Sequence, residues 1–152
     1  MPRRIAIAAD HAAVALKATL AAWLRDEGYA VDDLGTHDER SVDYPDYGYA
    51  LARAVAEGRA DTGVALCGSG IGIAIAANRH PGARCALVSE PFSAGLARSH
   101  NDANMIAMGA RVVGEEMAKA CLAAFLATEF LGGRHGARVT KLSHPAVEEQ
   151  PA

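Results

Sequence analysis

A chain of 152 residues is long enough for one domain with a substantial core, and 51% hydrophobic against 22% charged residues is the balance of an ordinary globular protein. A formal net charge of −3 argues against nucleic acid or an anionic membrane surface as partner. No apolar stretch approaches the ~18 residues of a membrane span, and Asp10, His11 and Lys17 break the apolar run after Arg3 and Arg4, so a signal peptide is not expected and the cytoplasm is the expected compartment.

Residues 4–9 are a short apolar run, a predicted buried strand. Leu16, Leu20, Trp23 and Leu24 then fall on one face of a helix, which Gly28 stops. Residues 29–34 read as a second strand. "GTHDERSVDYPDYG" is a polar, turn-rich loop, and Pro45 starts the next helix. Residues 61–66 are a third strand, 67–72 a glycine-rich turn, and a helix follows to residue 78. A fourth strand over 84–88, a helix over 91–99 and a fifth strand over 103–108 come next. A long helix over 114–126 carries Met117, Cys121, Ala124 and Phe125 on one face. "FLGGRHGARVTKL" is glycine-rich and basic and ends in a last short helix, and "SHPAVEEQPA" reads as a frayed tail.

This alternation predicts an α/β fold, a parallel sheet with helices on both faces. Ligands of such sheets bind beyond the C-terminal ends of the strands. A strand order 2-1-3-4-5 sets the first and third strands side by side. Asp10, His11 and Cys67 then share one crevice.

Three cysteines, Cys67, Cys85 and Cys121, lie far apart, without C-x-x-C spacing. That excludes a disulfide framework and a zinc site, and the six histidines show no metal-type pairing. Cys85 and Cys121 sit in apolar surroundings and read as core. Heavy alanine use allows close packing but leaves little apolar area per residue, which favours an oligomer.

"ALCGSGIGIAIAANR" carries the chemistry. A dinucleotide fingerprint needs G-x-G-x-x-G; Gly68 and Gly70 fit, but position 73 is Ile and the third glycine is Gly72. Glu90, after the fourth strand, keeps a ribose contact open. A P-loop would need Gly-Lys-Ser/Thr, and a cysteine phosphatase an arginine where Ile73 stands. What remains is a cysteine at the mouth of a glycine-rich anion cradle, with a helix N-terminus behind it. A thiol of pKa near 8.5 is only about 3% thiolate at pH 7, and such surroundings raise that fraction. A nucleophile, a general base and a small core residue all remain open readings of Cys67 at this point. Likewise Asp10 can be a plain helix cap, and Arg134 and Arg138, at i and i+4, a solvated basic face.

Five segments in order, "ADHAAVALK", "SVDYPDY", "CGSGIGIAIAANR", "RSHNDANMIAMGARVVG" and "FLGGRHGARV", span residues 9–139. Together they closely resemble the B-type ribose-5-phosphate isomerases and the related galactose-6-phosphate isomerase subunits. The resemblance implies a Rossmann-like three-layer α/β/α sandwich with a five-stranded parallel sheet, one domain over 1–152. It implies a homodimer, in some members a tetramer, whose segment from about residue 130 reaches the partner, with no cofactor and no metal. The implied substrate is a sugar phosphate, ribose 5-phosphate or a four- or six-carbon analogue; a non-catalytic nucleotide-binding module is the alternative of another class. Cys67 would be the proton-transfer base, because the loop end holds Ile73 and Ala74 and not the glutamate of the family's other branch. The amides of Gly68, Gly70, Ile71 and Gly72, with Ser69, would hold the enediolate. His100 would open the sugar ring, with Asp10 near the ring oxygen and Asn101 beside it. Tyr44 would line the site. His11, Arg111, Arg134, His135 and Arg138 would hold the phosphate.

Overall fold

The computed structural model describes residues 1–145. In chain order the elements are β1 (Arg4–Ala9), a 3₁₀ turn (His11–Ala13), α1 (Val14–Asp26), β2 (Ala30–Asp33), α2 (Tyr44–Ala56), β3 (Thr62–Cys67), α3 (Ile71–Asn78), β4 (Cys85–Leu87), α4 (Pro91–Ser99), β5 (Met105–Gly109), α5 (Glu115–Ala127) and α6 (Arg134–Ser143). The expected frayed tail is helical at its first residue, Ser143, and from residue 146 lies outside the described residues.

The five strands form one parallel sheet of order β2-β1-β3-β5-β4. The first and third strands are neighbours as expected, but the fourth and fifth are exchanged relative to 2-1-3-4-5. Burial explains the exchange. The five residues of β5 are all buried, whereas β4 has three residues, none fully buried, and suits only an edge. Right-handed crossovers then place α1, α4 and α5 on one face of the sheet and α2 and α3 on the other.

The pleat sorts side chains into two cores. Ile5, Ile7, Val64, Leu66, Ile106 and Met108 pack with Leu20, Leu24, Leu122 and Phe125 on the α1/α5 face. Ala6, Ala8, Ala65, Cys67 and Ala107 pack with Leu51, Val55 and Ile73 on the other. The second face is lined by small residues, so α2 and α3 sit close. A Cβ on Gly48 of α2 would lie 2.8 Å from the Ala76 Cβ of α3. In α5 the buried stripe is Ala118, Cys121, Leu122 and Phe125, while Met117, expected on that face, is exposed. The stripe is rotated by about one residue because α5 packs against α4 and α1 as well as the sheet. Cys121 is core, as expected, but Cys85 is only half-buried because its strand is the edge.

One polar residue interrupts the α1 face. Lys17 is buried, and its Nζ donates to Asp33 Oδ1 and Oδ2 at 2.7 and 2.5 Å. Burial pushes the Asp33 carboxyl up, but hydrogen bonds from Lys17 and the Gly35 N–H, with the charges of Lys17 and His37, outweigh it and hold the group below the usual carboxylate range. A carboxyl depressed in the folded state adds stability above its unfolded pKa, near ~3.9, and loses it as pH falls through the folded value. The Tm gap between wild type and Asp33→Asn is therefore expected to be full at neutral pH and to close below roughly pH 4. Thermal melts across that range check it, and a gap independent of pH would assign Asp33 no ionic role.

Candidate active site

The site lies where the strand order reverses, between the C-terminal ends of β1 and β3. A cavity of about 240 Å³ there is lined by Asp10, His11, Ala12, Tyr44, Cys67, Gly68, Ser69, Gly72 and Arg111.

Each wall has a local cause. Asp10 follows β1 and caps the 3₁₀ turn, its Oδ1 accepting the Ala12 N–H at 3.0 Å. That bond places His11 at the rim, where its Nδ1 accepts the Val42 N–H at 3.2 Å. Tyr44 opens α2, and its ring covers Gly72 so closely that a Cβ there would sit 2.6 Å from it.

Cys67 ends β3 and is 4% exposed. Its Sγ accepts the Gly70 N–H at 3.1 Å. Gly70 has φ +78°, and a Cβ there would lie 2.7 Å from the Met108 carbonyl carbon, so only glycine turns the loop at this point. Ser69 lies against β5 in the same way, 2.5 Å from where a Gly109 Cβ would stand. The loop thus rests on the end of β5, gives the thiol the Gly70 N–H as donor, and leads directly into the first turn of α3. Ser69 Oγ accepts the Ile71 N–H at 3.2 Å, which leaves its own O–H to point at a ligand.

The strand exchange matters here. Because β5 is the neighbour of β3, the chain leaving β5 reaches the glycine loop, and the Arg111 N–H donates to the Gly68 carbonyl at 2.9 Å. Arg111 thereby joins the cavity. Glu90, following the edge strand β4, caps α4 by accepting the Phe92 and Ser93 N–H groups, and it does not line the cavity.

Not every expected residue converges. Ile71 is 53% exposed and faces a groove with Ile75 and Leu87. His100, Asn101, Arg134, His135 and Arg138 do not line the Cys67 cavity. Four of them belong to a second cluster at the start of α6. The His100 and His135 rings stack with centroids 4.3 Å apart, and Arg134 and Arg138 stand exposed on the same helix. Burial, then the neighbouring His100, Arg134 and Arg138, hold His135 below the ordinary imidazole range.

The polar run at 98–104 divides into two tasks. Asp102 sits at φ +44°, clamped by Arg98 at 3.0 Å and by Arg84, whose Nε donates to the Asp102 carbonyl at 2.9 Å. Asn104 ties the Gly82 carbonyl to the Arg84 N–H. These four hold the turn, and His100 and Asn101 are presented by it.

Burial pushes the Cys85 thiol up to about 12, and burial with the Glu90 charge raises Cys121. Among the described residues no group of three or more His, Cys, Asp or Glu is arranged to hold a metal, and no helix is long and apolar enough to cross a membrane. A thiol beneath a cradle of N–H donors, with a hydroxyl, a carboxylate, an imidazole and a guanidinium around it, can take a proton from carbon and hold the resulting oxyanion.

Residues 5–142 match the family model described as Ribose/Galactose Isomerase. The chain is 44% identical over 148 residues to ribose-5-phosphate isomerase B of Escherichia coli (strain K12), covering 97% of this chain and 98% of that one. It is 41% identical to the D-erythrulose-4-phosphate isomerase of Pectobacterium atrosepticum, covering 96% and 97% of the two chains. The solved structure of Clostridium thermocellum ribose-5-phosphate isomerase B matches the fold with a TM-score of 0.91 at 46% identity, over 92% of this chain and 95% of that one.

Proposed function

The chain belongs to the ribose/galactose isomerase family, and from that premise we propose that it interconverts D-ribose 5-phosphate and D-ribulose 5-phosphate through an enediolate. The observation that carries the reading is the Cys67 thiol at the head of the glycine loop, inside the cavity with Asp10, His11, Tyr44, Ser69 and Arg111.

His100 opens the furanose ring, with Asp10 near the ring oxygen. In the open aldehyde the Cys67 thiolate takes the proton from C2, and charge collects on O1. The N–H groups of the glycine loop and the Ser69 hydroxyl hold that charge; one such donor is typically worth roughly 3–4 kcal/mol in the transition state. A proton passes from O2 to O1, and the thiol returns its proton to C1. Proton and electrons stay within substrate and enzyme, so the reaction requires no cofactor.

The phosphate, of about −1.5 to −2 charge at pH 7, is held by His11 and Arg111 of one subunit and by Arg134, His135 and Arg138 of a second. His100 and Asn101 come with that second set, because His100 is stacked on His135. A homodimer with shared sites is supported by this division and by the apolar side chains exposed beside the glycine loop, Ile71, Ile75 and Leu87.

Similarity to an erythrulose-4-phosphate isomerase favours one second reading, a substrate of four carbons. A panel of four-, five- and six-carbon sugar phosphates is expected to give the highest kcat/KM with the pentose. A clear maximum at another length would move the substrate within the class. Nucleotide binding with no turnover of any sugar phosphate would overturn the isomerase reading.

A further inference from the structure

The scheme above leaves the buried charge of Lys17 unused. We propose that the Lys17–Asp33 ion pair is a positioning device for the active site: it anchors the 34–43 loop, and the loop fixes His11 as the Nε2–H tautomer and seats Tyr44 over the glycine turn. Its kinetic consequence rests on the isomerase reading; its spectroscopic consequence does not.

Lys17 is 2% exposed, and withdrawing an ammonium from water is costly unless something requires it there. An apolar side chain would fill the same place on α1 at no such cost. The charge grips Asp33, the last residue of β2, with both carboxylate oxygens engaged. Asp33 Oδ1 also accepts the Gly35 N–H at 2.9 Å. The next bonds lace the chain to β1: the Ala9 N–H donates to the Gly35 carbonyl, and the Thr36 N–H to the Ala9 carbonyl, each at 2.8 Å. Ala9 immediately precedes Asp10 and His11. The loop's start is thus tied to the root of the cavity wall.

The loop's far end carries the consequence. The Val42 N–H donates to His11 Nδ1 at 3.2 Å. A nitrogen that accepts a hydrogen bond carries no proton, so the neutral ring must hold its proton on Nε2. Since His11 lines the cavity, the ring presents a donor to an anionic ligand. Two residues later Tyr44 begins α2, its ring against Gly72. One anchored loop therefore sets two cavity residues that lie 33 positions apart in sequence.

The test compares the wild type with Lys17→Met and with Lys17→Met/Asp33→Asn. The double variant leaves no stranded buried charge, which is the main cost of breaking such a pair, so it is the comparison that carries the test if the single variant does not fold. Imidazole nitrogen shifts of His11 are read by ¹⁵N NMR under mildly alkaline conditions, assigned by the signal lost in His11→Gln. Wild type is expected to show one Nε2–H tautomer, and the folded variants a mixture. KM for ribose 5-phosphate is expected to rise about tenfold, the scale of one hydrogen bond to a charged group, with kcat changed less than about threefold. A folded double variant that keeps a single Nε2–H tautomer, or a wild type lacking it, overturns the proposal. If no sugar phosphate is turned over, the tautomer alone decides the inference.

Discussion

Cys67→Ser is expected to lose isomerisation by roughly 10²–10⁴-fold, the range of a missing general base, while KM stays within a few-fold. The substitution is chosen for what it leaves in place. A serine oxygen still accepts the Gly70 N–H, so the turn at φ +78° and the start of α3 are retained. The arginines proposed to hold the phosphate are untouched. What is lost is acidity: an alkoxide is far harder to form at neutral pH than a thiolate, so proton transfer from C2 fails while binding persists. The check is double. Turnover is measured with ribose 5-phosphate, and exchange of the C2 hydrogen with deuterated solvent is followed by NMR. Both should vanish together, because one group performs both. Cys85 and Cys121 cannot substitute, because neither lines the Cys67 cavity. Near-normal turnover in the serine variant would remove Cys67 from the mechanism.

The residues that made the site legible are those whose geometry is local. A cysteine ending an apolar run before Gly68, Gly70 and Gly72 specifies a strand end, a turn needing positive φ and a helix start within six residues, and these stand as read. Asp10 as a cap and Pro45 in the first turn of α2 are local in the same sense. Strand order is not. Nothing in the periodicity of residues 84–88 or 103–108 says which strand lies beside β3. The available signal was length and polarity: "MIAMG" is an unbroken apolar run, while "CAL" is short and follows an arginine. Arg111 depends on that order, so its place in the cavity rested on resemblance alone until β5 was seen beside β3. Lys17 was hidden for a different reason. A lysine on an apolar helix face reads as a surface residue, and its partner Asp33 lies on another element. The two halves of the candidate site illustrate the same limit, because no spacing in a sequence tells which cluster belongs to which subunit.

That question is decided by mixing two impaired proteins. Cys67→Ala alone should be dead, and Arg138→Ala alone weak through loss of phosphate binding. The geometry behind the expectation is the separation of the clusters. Cys67, Asp10, His11, Ser69 and Arg111 line one cavity, while His100 stacks on His135 beside Arg134 and Arg138 on α6, outside it. The proposed isomerisation uses both sets on one small sugar. A symmetric dimer satisfies this if each cavity faces the α6 cluster of its partner. Under conditions that exchange subunits, random pairing makes about half the dimers mixed. In each mixed dimer one site has lost both groups. The other takes Cys67 from the Arg138→Ala chain and Arg138 from the Cys67→Ala chain, and is intact. Roughly a quarter of all sites should therefore regain full activity. Sites built within one chain would give no recovery, because each would keep its own lesion whatever its partner. Native mass spectrometry supplies the control: heterodimers present without recovered turnover would overturn the shared site, leaving the α6 arginines either to reach Cys67 within their own chain or to serve some other purpose.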